Sequence, residues 1–271
     1  MNTQRTLREA RTMVTALRGL AEPAPLTLAS RVMAAVGIGD QYAQIPGPIG
    51  PLLVAWGREG ITAVERAGDE TGFELEYSLQ FGRPLHRVDA MPDGLRRQVD
   101  RRLEGERAAG PPVDLSHLTS FEREVLQKTM EIPRGEVRPY AWVAREIGRP
   151  RAVRAVGSAL ANNPIPFVIP CHRVVRTDGR IGEYGAGGPQ AKREVLASEG
   201  VNADELERLA SAGIRYFGSD TTRIFCYPSC RHARRTTPQH LVSFRSGEDA
   251  MSSGYRACKV CRPLLASPFA A

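Results

Sequence analysis

The sequence predicts an α+β chain built in three parts behind a helical leader, and three observations carry that reading. Short strand-like runs alternate with turns between residues 47 and 115, and apolar residues recur at helical spacing from Thr119 onward. Four of the five cysteines fall into two close pairs near the C-terminus. At 271 residues the chain is long enough for two or three hydrophobic cores. The boundaries fall at 1–43 for a helical extension, 44–117 for a sheet domain, 118–213 for a helical domain and 214–271 for a small cysteine-bearing module.

In the extension, Leu7, Ala10, Met13, Val14 and Leu17 and then Leu28, Val32, Met33 and Val36 predict two short helices separated by Pro23 and Pro25. Arg5, Arg8, Arg11 and Arg18 interrupt the apolar character, so the segment does not read as a secretory signal. An arginine-bearing amphipathic leader also suits an organellar transit peptide, against which Glu9 and the scarcity of serine argue. No apolar run reaches the roughly 20 residues that span a bilayer. The expectation is a cytoplasmic protein with reduced thiols and no membrane partner.

Four runs, 51–56, 61–66, 73–81 and 85–88, predict the strands of an antiparallel sheet, followed by a helix over 94–103 and a connecting loop over 105–112. This region gathers no catalytic residue types. Beyond it, Thr119 or Ser120 caps a helix that aligns Phe121, Val125, Leu126 and Met130. Helices over 140–147 and 150–162, joined at Gly148 and Arg149, have the spacing of a helix-turn-helix. In the second of these, Val153, Val156 and Leu160 form the buried stripe, while Arg151, Arg154, Ser158 and Ala161 lie on other faces. Gly157, Ser158, Ala159 and Ala161 make that helix thin enough to approach a ligand closely. Residues 164–175 read as a strand-like segment broken by prolines, 177–179 as a turn, 183–189 as a glycine-rich loop around Tyr184, and 190–198 and 203–212 as helices.

Charge follows the cysteines. Residues 1–117 hold 14 basic and 15 acidic side chains, 118–200 hold 13 and 9, and 216–271 hold 8 and 3. The two cysteine-bearing regions are therefore the basic ones, as expected of surfaces that meet a polyanion.

Cys171 is the thiol left over when the pairs are counted, and His172 follows it. A histidine after a cysteine is more often packing than catalysis, but the pair is also a candidate nucleophile and base. Thiolate is the reactive form, and a neighbouring base or positive charge lowers the thiol pKa. Cys226-x3-Cys230 and Cys258-x2-Cys261 have the spacing of a tetrahedral zinc site. An iron–sulfur cluster is the alternative, and reduced thiols disfavour disulfides. With few large apolar side chains in the module, a bound Zn2+ would supply much of its folding free energy.

Residues 120–200, through "GEVRPYAWVAREIGRPRAVRAVGSALANNP" and "IPCHRVV", resemble the C-terminal domain of the O6-alkylguanine-DNA alkyltransferases. Residues 44–117 more loosely resemble that family's ribonuclease H-like N-terminal domain. The resemblance implies a monomer that takes an alkyl group from O6-alkylguanine in double-stranded DNA onto Cys171, once and without a cofactor for that step. It makes His172 the acceptor of the thiol proton through a water, oriented by Glu199. Tyr140 is implied beside the flipped guanine and its phosphate, Asn163 as a brace of the turn after the recognition helix, and Tyr184 as a wall of the base pocket. Arg154 is implied as the residue that replaces the flipped base, on a helix that enters the minor groove with Arg151 and Ser158 on its outer side.

The stretches "RYFGSDTTRIFCYPSC" and "GYRACKVC" are similar to the zinc domain of the adaptive-response protein Ada. That similarity implies Zn2+ on Cys226, Cys230, Cys258 and Cys261, with Cys226 also accepting a methyl from a backbone phosphotriester. Thr222 and Arg256 match positions beside that site, and Arg231, Arg234 and Arg235 would hold phosphates. Departures are Arg223 for a glycine, Tyr227 for an arginine, Ala257 for a proline and Val260 for an arginine, and the module follows the alkyltransferase part instead of preceding it. Two readings of the module stand side by side, a second methyl acceptor and a structural or DNA-anchoring scaffold. A further alternative for the whole chain is a zinc-dependent DNA-binding sensor or regulator of the alkylation response.

Overall fold

The computed structural model describes residues 38–106 and 110–265, together with Val32 and Val36. The two helices expected in the extension lie almost wholly outside the described residues. Mixed α+β architecture is observed. The first sheet has strands β1 (Asp40–Ile45), β2 (Leu52–Gly57), β3 (Gly60–Arg66) and β4 (Leu85–Arg87) in the order β3-β2-β1-β4. β2 and β3 pair antiparallel as expected of the runs 51–56 and 61–66, whereas β1, which begins inside the stretch expected to be helical extension, is a strand the sequence reading missed; it pairs antiparallel with β2, and β4 joins it in parallel.

A crossover helix, α1 (Glu70–Phe81), supplies the connection that parallel pairing requires, and it corrects the strand expected over 73–81. The sequence there alternates apolar and polar residues, which is the period of a strand. Phe73, Tyr77 and Phe81 are also spaced by four, so on a helix they share one face. Asp69 caps the helix by accepting from the Gly72 amide at 2.9 Å. Phe73 and Tyr77 pack on Tyr42, Leu53 and Ala55 of the sheet, and the other alternating residues, Leu75 and Leu79, are left 61% and 78% exposed.

The opposite face of β2, carrying Leu52, Val54 and Trp56, meets Val99 of α2 (Asp93–Leu103) and Val125 and Leu126 of α3 (Ser120–Met130). Thr119 and Glu122 form a reciprocal cap that starts α3. The pair α4 (Tyr140–Glu146) and α5 (Val153–Ala161) follows. Val156 and Leu160 are buried as expected, but Val153 is only half-buried and Ala159, expected on the outer side, is buried, while Arg151, Arg154, Ser158 and Ala161 are exposed.

Residues 164–175 are not a strand until their end. Pro164, Pro166 and Pro170 have no amide for a ladder, and Phe167 takes a left-handed φ of 70°. The chain instead folds through tight turns, a 3-10 turn at Cys171–Arg173 and a two-residue strand β6 (Val174–Val175) parallel to β5 (Arg138–Pro139). α6 (Gly188–Ser198) and α7 (Ala203–Ser211) complete this part.

The cysteine module is a second four-stranded sheet of β7 (Tyr216–Ser219), β8 (Ile224–Cys226), β9 (Leu241–Phe244) and β10 (Arg256–Ala257), in the order β10-β8-β7-β9, with α8 (Gly247–Ser252) alongside. Its buried residues are continuous with the core of the rest of the chain.

Candidate active site and metal centre

Cys171 opens the 3-10 turn Cys171–Arg173 with 7% exposure. Its Sγ accepts from Asn163 Nδ2 at 3.1 Å, and the same amide group donates to the Ile169 carbonyl at 3.1 Å. Asn163 thus ties the end of α5 to the turn that presents the thiol. Burial pushes the Cys171 thiol up, against the downward pull of the Asn163 hydrogen bond and the Lys192 ammonium. The lowered thiol pKa expected from its neighbours is therefore corrected: the resting sulfur carries its proton, because removing it from water costs more than its neighbours return.

His172 is 1% exposed, and its ring nitrogens make no hydrogen bond to that sulfur. Burial pushes its pKa down in spite of Glu199, so it is neutral. Its Nε2 lies 2.9 Å from Glu199 Oε1. Burial raises the Glu199 pKa, but hydrogen bonds from His172 and Arg173 outweigh it and hold the carboxyl at about 2. An ionised carboxylate can only accept, so the His172 proton resides on Nε2 and Nδ1 is bare. Nδ1 is buried and has no partner among the described residues. Tyr184 stands edge-on to both His172 and Phe167, with ring centroids at 6.1 and 6.2 Å.

Two further residues complete the site and were not singled out by sequence. Arg173 clasps Glu199 through Nε at 3.0 Å and Nη2 at 2.7 Å, and donates to the Ile132 carbonyl at 2.7 Å. Lys192 is fully buried, and its Nζ donates to the carbonyls of Val174, Ile181 and Glu183 at 2.6, 2.8 and 3.1 Å. Burial lowers its pKa to about 8. A signal for Lys192 existed: it falls within the apolar stripe Ala191, Val195 and Leu196 of α6.

The Tyr140 ring is half-buried at the start of α4, where burial raises its pKa. Tyr140, Arg151, Arg154 and Arg176 line a groove of about 1550 Å³ together with Gly157. Ser158 lies exposed on the same helix, its hydroxyl directed at the Arg154 carbonyl. A Cβ at Gly157 would meet no heavy atom within 4 Å, whereas one at Gly185 would come within 2.7 Å of the Ala161 carbonyl. The glycine loop thereby closes directly onto the end of α5.

In the second module, the four sulfurs of Cys226, Cys230, Cys258 and Cys261 lie within 4.8 Å of one another, all buried. Zinc–sulfur bonds of about 2.3 Å in a tetrahedron place sulfurs about 3.8 Å apart, so the cluster fits such an ion. Hydrogen bonding among the sulfurs pushes the Cys226 and Cys261 thiols up and the Cys230 and Cys258 thiols down, as expected of thiols that cannot all ionise without a cation between them. Cys226 also lines a groove of about 540 Å³ with Thr222, Arg235, Arg256 and Lys259. Arg231 and Arg234 are exposed but do not line it. Arg223 has a φ of 52°, the conformation a glycine adopts freely, and its guanidinium lies over the Tyr255 ring at 5.1 Å.

Comparison with known proteins finds a match over each of the two regions. The family model described as the DNA binding domain of 6-O-methylguanine DNA methyltransferase matches residues 120–201, and the model described as the metal binding domain of Ada matches residues 207–263. A methylated-DNA–protein-cysteine methyltransferase of Rattus norvegicus is 45% identical over 101 residues, 37% of this chain and 47% of that protein. The chain thus spans less than half the length of this relative, and 39% of the like-named protein of Mus musculus. The like-named protein of Salmonella typhimurium is 49% identical over 161 residues, 58% of this chain and 94% of that protein. Mycobacterium tuberculosis OGT, solved in complex with DNA, is 30% identical, with 61% of this chain and 98% of that chain covered at a TM-score of 0.48. With nearly the whole of the Salmonella protein matched, this chain belongs to the methylated-DNA–protein-cysteine methyltransferase family.

Proposed function

We propose that the chain repairs DNA by moving a methyl group from O6-methylguanine onto Cys171, once per molecule. The observation that carries this reading is the relay of a protonated thiol, a neutral imidazole with a bare Nδ1, and an ionised Glu199. Nδ1 takes the thiol proton, by way of a water as the family resemblance implies, and Glu199 stabilises the imidazolium that forms. The sulfur lone pair attacks the methyl carbon as the carbon–oxygen bond breaks, and the bonding pair passes to the guanine. The purine anion takes up a proton, balanced by the one that His172 took from the thiol, and the Tyr140 hydroxyl, which lines the groove, is suited to hydrogen-bond the purine. The thioether left on Cys171 has no proton to lose and no leaving group, so turnover stops.

A base inside a duplex cannot reach a sulfur with 7% exposure, so it must leave the stack. Exposed Arg154 on thin α5 would fill the space left behind, with Arg151 and Arg176 meeting flanking phosphates; their sharing one groove supports that reading.

For the metal we propose Zn2+, held by Cys226, Cys230, Cys258 and Cys261. When bound, the ion keeps its sulfurs as thiolates at neutral pH. The basic groove on which Cys226 opens favours a second transfer, from a backbone methylphosphotriester to Cys226. A Cys171→Ser variant is the test. It should keep its affinity for DNA containing O6-methylguanine and lose all methyl uptake from that base, while a methylphosphotriester duplex still labels the protein. Uptake from O6-methylguanine by C171S would refute the assignment.

A further inference from the structure

Both metal-ligand loops of the cysteine module grip the catalytic part, on either side of Tyr140. In the first loop, Ser229 Oγ accepts from the Val137 amide at 2.9 Å and the Arg231 amide donates to Glu136 Oε1 at 3.1 Å. Glu136 is 1% exposed and its other oxygen holds Arg138, whose guanidinium lies 5.5 Å over the Tyr227 ring. In the second loop, the carbonyl of the ligand Cys261 itself accepts from Trp142 Nε1 at 3.0 Å. Arg145 donates to the carbonyls of Arg262 and Pro263, and Arg262 returns an ion pair to Glu146 at 2.8 Å while lying over the Trp142 ring. Arg262 does so at a φ of 46°, a backbone state that must be held from outside.

α4 cannot hold itself. It has seven residues and no side-chain cap, and a helix so short is ordered by packing. The segment before it also reaches the relay: the Gly135 amide points at Glu199 Oε2 at 3.4 Å, and Arg134 donates to the Ser198 carbonyl at 2.6 Å. Residues 134–146 are therefore pinned to Glu199 at one end and to the two metal-ligand loops further along. Tyr227, which stands where the Ada pattern has an arginine, is turned into this junction: it is 7% exposed and its hydroxyl accepts from the Leu264 amide at 3.2 Å.

We propose that the metal site is a positioning device for the guanine-repair site, so that metal bound 226–261 orders α4, Tyr140 and the 134–138 segment and thereby sets the transfer rate at Cys171. Trp142, Arg145 and Glu136 are the positioning residues. The inference rests on the proposed roles of Cys171 and Zn2+, but its test separates from theirs.

The experiment uses the full chain, loaded with zinc or stripped of it under reducing conditions, with zinc stoichiometry measured, and reads amide hydrogen exchange alongside single-turnover methyl transfer to Cys171 at saturating and sub-saturating O6-methylguanine duplex. Stripping should speed exchange across 136–146 by about tenfold or more, leave β1–β3 unchanged, and slow transfer by a similar factor. In zinc-loaded protein, Trp142→Phe should speed exchange in α4 and slow transfer by about fivefold, the worth of one buried hydrogen bond. Zinc-loaded W142F indistinguishable from the parent in both readouts, or stripped protein with unchanged exchange over 136–146, would overturn the proposal. Exchange decides the point even in a protein whose Cys171 takes up no methyl, an outcome that would count against the proposed function alone.

Discussion

Glu199 carries three duties at once: it fixes the tautomer of His172, answers the charge of Arg173, and meets the amide of Gly135. Its pKa of about 2 lies below the ordinary 4.5, so its stabilising contribution is fully present above pH 4.5 and is lost as pH falls toward 2. The shift corresponds to about 3 kcal/mol. Acid denaturation followed by circular dichroism should show that loss in the parent, and Glu199→Gln should remove it while destabilising the protein at pH 7 by about 3 kcal/mol, since buried Arg173 then lacks its counter-charge. Because burial lowers the His172 pKa below 6.5, the acid limb of the single-turnover pH profile should fall below pH 6.5. A limb at or above that value would mean that His172 is not the base. Cys171, His172 and Glu199 were legible from the motif in sequence. Arg173 was not, since its partner Glu199 lies 26 residues away in sequence and only the fold brings the two charges together.

Among the elements, α5 is legible because periodicity and composition agree: Val156 and Leu160 turn inward, and the small outer residues leave room. Gly157→Leu tests this directly. A Cβ there meets nothing within 4 Å and leucine favours a helix over glycine, so the thermal midpoint should stay level or rise, whereas affinity for duplex DNA should fall by about tenfold as the helix thickens. α1 shows the opposite case. Its residues satisfy two periods, four and two, and nothing local in 73–81 chooses between them; the cap at Asp69 and the fit of Phe73 and Tyr77 to the sheet do. Leu79→Lys should therefore change stability by less than about 0.5 kcal/mol in denaturant titration, a result impossible for an inward-facing strand residue. In residues 164–175 the apolar content was legible as burial, but three prolines turned burial into turns.

At the level of the whole molecule, the two basic regions recognised from charge carry the two grooves, one flanked by Arg151, Arg154 and Arg176 and one by Arg235, Arg256 and Lys259. Sequence spacing was enough to gather four cysteines into one cluster. It held no sign of the interface between cluster and helix-turn-helix, because Trp142, Arg145 and Glu136 act through backbone groups of the other module, which no side-chain pattern encodes. Methyl uptake at Cys171 remains the claim on which the rest depends. The most direct measurement is to incubate the protein with duplex DNA containing O6-methylguanine, digest it, and map methylated peptides by mass spectrometry against the amount of DNA supplied. The account predicts one methyl per chain on the peptide containing Cys171, with no increase on further incubation. An unmodified Cys171 in the presence of repaired guanine would contradict it.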